Sequence, residues 1–443
     1  MHDDHIQTEH GDSERGDTEP GATEHSADEP EFADGQFYAD PHAAYRRWRT
    51  EGGARKVRFG GAAGLEGWVV TGHAECRAAL ADPRLSKKAV TEAFARHVGN
   101  SEGGPGRDLM THMLNSDPPE HTRLRKLVQQ AYTGRQVATL RPMVERHVGA
   151  LLDQLDGPDP VELISEFALP LPLAVVFELF GAPQAERENL QVRGNAVDAD
   201  PEDDGEADGG ADGAADGAAD GEVSVETAEG MANYLRALVD HKRTHPGDDL
   251  ISELLAAQAD GDRLTEAEIT SMAFLLAIAG HQSTVNLITN GIHALLRHPE
   301  QLAALRADPA LLPGTIEEVL RYESPFSIAS LRRTTEPVTI AGTTIPAGEF
   351  VQIALLAANR DPAVFTDPDR FDITRPDATR HLAFGHGIHH CLGAQLGRLQ
   401  AEVAFTELLR RFPALRLADP AEPAQWQENP RHRGLLNLRV LLH

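Results

Sequence analysis

A chain of 443 residues with 41% apolar content can bury a sizeable core, and much of its formal charge of −28 is confined to two segments. Residues 1–40 carry thirteen acidic side chains against Arg15 and residues 198–222 carry eleven with no base, so the remainder is only mildly acidic. That balance argues against nucleic acid as a partner, while sparse aromatics with abundant Ala and Leu favour a mostly helical fold.

Residues 1–35 are rich in Asp, Glu, Gly, Ser and His, too polar to offset chain entropy, and read as a disordered acidic tail. The scattered His2, His5, His10 and His25 have no fixed chelating geometry. No basic-then-apolar leader is present, and the two cysteines, Cys76 and Cys391, fit a reducing cytoplasm. Structured sequence is expected from near Phe37, within a single domain over residues 36–443. Trp68–Thr71 reads as a strand end and His73–Ala81 as a short helix holding Cys76 as a small buried hydrophobe. Pro118 and Pro119 open a helix carrying His121, Arg123, Arg125 and Lys126. Amphipathic helices are expected over Arg135–Leu155 and Glu162–Phe180.

Asp198–Glu222 is a low-complexity acidic insertion with an imperfect Ala-Asp-Gly-Ala repeat and no core-forming residue. Helical periodicity resumes at Val225 and stops near Gly247. From Thr265 to Leu296 it persists for a length of roughly 48 Å, enough to cross the molecule. The apolar stretches Phe167–Gly181 and Met272–Gly280 are shorter than the ~20 residues of a membrane helix, so no membrane span is expected. In the middle of the long helix, Ala277–Thr284 reads AIAGHQST, where Gly280 costs about 1 kcal/mol against Ala and a polar cluster interrupts the apolar face. A helix over Pro313–Tyr322 carries Glu317, Glu318 and Arg321. The runs Val338–Ile340, Thr344–Ile345 and Phe350–Ile353 suggest a small antiparallel sheet, and a last long helix begins just after Cys391.

The segment Phe384–Gly393, FGHGIHHCLG, places three glycines and a cysteine immediately before that helix. Glycine admits positive φ and close backbone approach to a flat ligand. A cysteine at a helix N-terminus is biased towards thiolate, the metal-binding form, and a thiolate axial to haem iron promotes O–O cleavage.

These ten residues resemble the haem-binding signature FGxGxHxCxG of the cytochrome P450 family, and the resemblance extends from about Phe37 to His443. It implies the P450 fold: mostly α with a small β region, and haem b held between the long central helix and the Cys391 loop. Cys391 would ligate the iron, Phe384 would lie beside the sulfur with Gly385 at the loop's turn, and Ala279 and Gly280 would face the haem. His121 and Arg125, one turn apart in HTRLR, would meet the propionates together with Arg332 and His389, because guanidinium forms paired bonds with carboxylates. Glu318 and Arg321 match the family's ExxR helix and Arg370 lies in a PDRF match, which implies a Glu318–Arg321–Arg370 triad supporting the cysteine loop.

At the oxygen-activating segment this chain departs from the family pattern. Gln282 stands where an acidic residue is usual and Ser283 where threonine is usual, with Thr284 following. Ser283 still offers a hydroxyl, but Gln282 cannot carry a proton as a carboxylate does. Ser283 with ordered water, a substrate hydroxyl, or a reaction needing less proton delivery each accounts for the change, and His281 is a candidate relay.

The resemblance is to actinobacterial enzymes that oxidise polyketides and macrolides. It implies a cytoplasmic monomeric monooxygenase that hydroxylates or epoxidises a bulky apolar small molecule, probing it with residues of 85–113, 276–280, 327–330 and 429–432, beneath a lid region holding the acidic insertion. Electrons would come from a ferredoxin and its reductase, guided by Arg123, Lys126 and Arg398 on the proximal face. The alternatives are a haem-thiolate oxidase or coupling enzyme that inserts no oxygen, and a non-catalytic haem sensor.

Overall fold

The computed structural model of the protein describes residues 30–60, 65–97, 107–155, 160–183, 225–259 and 261–443. Of the tail expected over residues 1–35, residues 1–29 lie outside them, as does the insertion over 198–222. Order begins earlier than the boundary expected near Phe37. Glu31–Ala33 form a strand parallel to Val57–Phe59, and the Glu31 carboxylate accepts from Trp48 Nε1 at 3.0 Å. Asp34 then caps the Gly35–Ala39 helix by accepting from Gln36 N at 3.0 Å.

Helices make up most of the molecule, as their composition predicts. The largest core is built from apolar faces of Glu120–Ala131, Arg141–Leu152, Pro170–Leu179, Val225–Thr244, Glu266–Ala279, Gln282–Arg297, Leu312–Tyr322 and Ala394–Arg411. His73–Ala81 and Leu312–Tyr322 form where periodicity places them. Cys76 is buried, its Sγ donating to Val70 O at 3.2 Å.

Three expected helices are interrupted, each for a local reason. The run over Arg135–Leu155 divides at Leu140 into Gly134–Thr139 and Arg141–Leu152, with Pro142 in the first turn of the second. Glu162–Phe180 divides into a strand residue pair, a wide turn at Ile164–Ala168 and the Pro170–Leu179 helix, because Pro170 and Pro172 have no N–H to continue the ladder. The long helix starts in a capping box between Thr265 and Glu268, ends its first half at Ala279 and resumes at Gln282. Its two halves together are long and apolar enough to cross a membrane, but 61% of the most apolar window is buried within the protein.

The β region is also arranged differently from expectation. Val338–Ile340 and Thr343–Ile345 pair as an antiparallel hairpin. Phe350–Ile353 instead joins a six-stranded mixed sheet, parallel to Trp68–Val70 and antiparallel to Arg332–Arg333. Placing Arg332 at the start of a strand paired on both sides, with Phe350–Ile353 and with Leu85–Ser86, fixes the backbone from which its buried side chain extends.

Candidate functional site

Cys391 lies in a tight loop whose geometry follows from its glycines. Cys391 N–H donates to Phe384 O at 2.9 Å, closing the loop, while Gly385 and Gly387 turn with φ of 70° and 74°. A Cβ on Gly387 would come within 3.0 Å of the Leu80 carbonyl, so glycine is required there for both reasons. Unlike Cys76, Cys391 is exposed.

The surrounding protein nevertheless raises the Cys391 thiol pKa through burial, against the Gly393 N–H, the charges of Arg125 and Arg398, and the Ala394 N–H. The Gly393 and Ala394 N–H groups at the start of the following helix act in the direction expected of a helix N-terminus, and burial works against them. Metal coordination deprotonates a thiol by itself.

Beside this loop, the structure gathers nitrogens that lack partners. His121 comes from the Glu120–Ala131 helix, His389 from the cysteine loop and Arg332 from the mixed sheet. The two imidazoles pack edge to face with centroids 4.3 Å apart. Both ring nitrogens of His121, His389 Nε2 and Arg332 Nε are buried without a hydrogen-bond partner among the described residues. Burial and then Arg332, His121, Lys87 and Arg125 push His389 down to about 2, and burial takes Arg332 down to about 10. Buried donors without acceptors are costly, and these fit the carboxylates of a haem. Arg125 donates to His390 O at 2.7 Å, joining the same loop. Lys87, within the 85–113 segment but not singled out there, is buried here and donates Nζ–H to Leu331 O at 2.8 Å; nothing in its local sequence marks it.

At the break in the long helix, Gly280 N–H donates to Leu276 O at 3.2 Å and His281 N–H only to Ile278 O at 3.3 Å. The interrupted ladder exposes the Ala279 and Gly280 carbonyls, which accept from Ser283 Oγ at 2.9 Å and Thr284 Oγ1 at 3.0 Å. Thus Ala279, Gly280, Ser283 and Thr284 form one polar notch. Gln282 Nε2 donates to Asn286 Oδ1 at 3.4 Å, and Asn286 Nδ2 donates to Pro325 O at 3.4 Å. Gln282 Oε1 is buried and has no hydrogen-bond partner among the described residues. His281 is hydrogen-bonded to Leu169 O at 3.2 Å, an orientation set by the neighbouring helix. Ile278 is 42% exposed, and Ala279 beside it is exposed as well.

Glu318 and Arg321 are fully buried and doubly bonded, Nε to Oε2 at 2.7 Å and Nη2 to Oε1 at 2.8 Å. The third member is Arg375, not Arg370: Arg375 Nε lies 3.2 Å from Glu318 Oε2. Arg370 is 64% exposed in its side chain and faces Asp372. A turn over Asp372–Arg375 reverses the chain, which swings Arg375 back onto Glu318 and leaves Arg370 only its carbonyl to contribute, accepting from Arg321 and Arg375. Asn359 links this knot to the cysteine loop, since its carbonyl accepts from Arg321 and its Oδ1 accepts from Leu382 N–H at 2.6 Å.

Of the expected substrate-probing segments, 327–330 and 429–432 are brought together by a Ser327 N–H to Arg431 O bond of 2.7 Å and a Phe326–His432 bridge. Much of 85–113 lies outside the described residues. The proximal cations are largely engaged within the protein: Arg123 pairs with Glu120, Asp262 and Glu268, and Arg398 with Glu317.

The family model described as Cytochrome P450 matches residues 225–429. Cytochrome P450 107B1 of Saccharopolyspora erythraea is 45% identical, over 92% of this chain and 96% of that protein. Polyketide biosynthesis cytochrome P450 PksS of Bacillus subtilis is 35% identical, over 92% of this chain and 97% of that protein. The structure of the tirandamycin C-bound P450 monooxygenase TamI is similar with a TM-score of 0.80 and 44% identity, covering 94% of this chain and 100% of that one.

Proposed function

This chain belongs to the cytochrome P450 family and is an oxidoreductase of the monooxygenase kind, and from that membership we propose that it hydroxylates or epoxidises a bulky apolar polyketide or macrolide. The observation that carries the reading is the cluster of buried, partnerless nitrogens on His121, His389 and Arg332 beside the exposed Cys391. The relatives named for polyketide biosynthesis and for binding tirandamycin C support the substrate class.

In this proposal Cys391 would be the iron ligand of a haem b, with Phe384 and Gly385 in the loop that presents it. His121, Arg125, Arg332 and His389 would hold its propionates, and Ala279 and Gly280 would help to form its pocket. Bound haem supplies an iron that activates dioxygen, with electron donation from the thiolate. Electrons come singly from a ferredoxin and its reductase, and the enzyme works as a cytoplasmic monomer.

The chain's own contribution to proton handling lies in the notch. Ser283 and Thr284 hydroxyls donate to carbonyls and keep lone pairs that accept from water. Gln282 neither gains nor loses a proton; its buried Oε1 is placed to accept from an ordered water, as buried polar atoms commonly do. Proton delivery then runs through hydroxyls and water in place of a carboxylate.

The test is turnover of a polyketide and macrolide panel, pre-screened by the spectral shift on displacement of water from the iron, with a ferredoxin and reductase. A product heavier than its substrate by one oxygen atom is expected. Product with no added oxygen overturns the assignment in favour of coupling or oxidase chemistry, and spectral binding without product on every bound compound favours a sensor.

A second expectation concerns the notch. Ser283→Ala removes one hydroxyl from the water network and should raise the share of reducing equivalents released as hydrogen peroxide several-fold, general acid–base groups commonly contributing ~10²–10⁴ in rate. Gln282→Glu should raise coupled turnover and lower peroxide release. Unchanged coupling in the first variant, or slower turnover in the second, would place proton delivery elsewhere.

A further inference from the structure

On the proximal side a second charged assembly touches the cysteine loop, and neither the propionate cluster nor the Glu318 knot includes it. Arg398, one turn into the Ala394–Arg411 helix, donates Nε–H to Glu317 Oε1 at 2.6 Å and Nη2–H to Glu317 Oε2 at 2.9 Å. Its Nη1 donates to Ala394 O at 3.4 Å. The guanidinium carbon lies 4.4 Å from the centroid of the Phe384 ring, and the Phe384 carbonyl is the acceptor of the Cys391 N–H. The ring beneath the cation is therefore carried by the residue that closes the loop on Cys391.

The other end of the assembly is equally fixed. Glu317, 13% exposed in its side chain, also accepts from His381 Nε2 at 3.1 Å. His381 Nδ1 in turn accepts from Ala383 N–H at 3.1 Å, so the ring carries its proton on Nε2. Burial raises the Glu317 pKa, but bonds from Arg398 and His381 outweigh it and hold the carboxyl down at about 2. The carboxylate is ionised and its partner cannot swing away. A freely mobile surface arginine would use its donors on water or a docking partner; this one has committed three of them within the protein.

We propose that Arg398 is a positioning residue that sets how strongly the Cys391 sulfur donates electrons, as a fixed positive charge clamped by Glu317 onto the Phe384 ring beside the ligand loop. The ion pair is a dipole with its cationic end on the Phe384 ring, carried by the residue whose carbonyl accepts from Cys391 N–H, and its anionic end turned to His381. A cation beside a thiolate draws electron density from it, and hydrogen bonds and charge near a ligating sulfur tune a metal's potential. The inference rests on Cys391 being the iron ligand.

The experiment is a spectroelectrochemical titration of the substrate-free holoenzyme for wild type, Arg398→Gln, Arg398→Lys and the double variant Glu317→Gln/Arg398→Gln, with Arg411→Gln as a control. Arg411 pairs with Asp153 on the surface. Arg398→Gln should lower the ratio of reduced to oxidised iron at a fixed applied potential about tenfold, ~59 mV for a one-electron couple. Arg398→Lys should recover part of the shift, Arg411→Gln should show none, and the double variant should shift in the same direction although it leaves no unpaired buried carboxylate. An unchanged potential in Arg398→Gln, or a double variant restored to wild type, overturns the proposal; the first outcome with slower, less salt-sensitive reduction by ferredoxin would make Arg398 a docking residue. The red-shifted band of the ferrous carbon monoxide complex should persist in every variant. Its absence from wild type would instead overturn the ligand assignment.

Discussion

Replacing Cys391 with Ala should leave a folded protein that has lost the strongly red-shifted Soret band of its ferrous carbon monoxide complex. The local physics separates the ligand's chemistry from the loop's shape. The loop is closed by backbone bonds, Cys391 N–H to Phe384 O and His390 N–H to Gly387 O, and its turns depend on Gly385 and Gly387, none of which involves the sulfur. Thermal unfolding of the apoprotein should therefore change by no more than about 1 kcal/mol, as for a substitution with no buried partner to orphan. Activity is another matter. Loss of a residue that merely supports a metal ligand costs roughly 10–100-fold, so loss of the ligand itself should exceed that range. Persistence of the red-shifted band in Cys391→Ala would show that another residue ligates the iron.

The largest effect on stability is expected at Glu318. Its carboxylate is fully buried and accepts from Arg321 Nε and Nη2, from Arg375 Nε and from Asp372 N–H at 2.8 Å. Arg321 is buried equally, its Nη1 donating to Asn359 O at 3.1 Å and Pro368 O at 2.7 Å. Glu318→Ala would leave two guanidinium groups without their balancing carboxylate, and removing one partner of a buried pair costs about 3–5 kcal/mol. Because the knot passes through Asn359 to Leu382 and so to the cysteine loop, haem content should fall with stability. Arg375→Ala should be destabilising for the same reason, whereas Arg370→Ala, at an exposed side chain, should stay within about 0.5 kcal/mol. Chemical denaturation of the three variants measures this directly, and the reverse ranking of the two arginines would restore Arg370 to the triad.

That pair of arginines illustrates where sequence reading stopped. Both lie near Phe371, and adjacency in PDRF favoured Arg370; which one reaches Glu318 depends on the chain reversal at Asp372–Arg375, a three-dimensional fact. Likewise, the prolines at 142, 170 and 172 were visible, but that they divide longer helices was decided by the packing each fragment found. Gln282 was legible as a departure, while its bond to Asn286 and through it to Pro325 was not, since that requires the two chain segments to meet.

The sequence alone determined what depends on residues close together in the chain: the mostly helical composition, the glycine-bearing loop that presents Cys391, the His121–Arg125 spacing, and the Glu318–Arg321 pair one helical turn apart. These are legible because a helix or a tight turn converts short spacing directly into geometry. Only the tertiary structure decided what depends on distant segments converging. It joined Phe350–Ile353 to a strand near Trp68, brought together the His121 ring nitrogens, His389 Nε2 and Arg332 Nε without partners among the described residues, and set Arg398 between Glu317 and Phe384. The physical reason is that burial removes water as an alternative partner, so each buried polar group takes the partner the packed fold supplies, and sequence spacing carries no record of that partner.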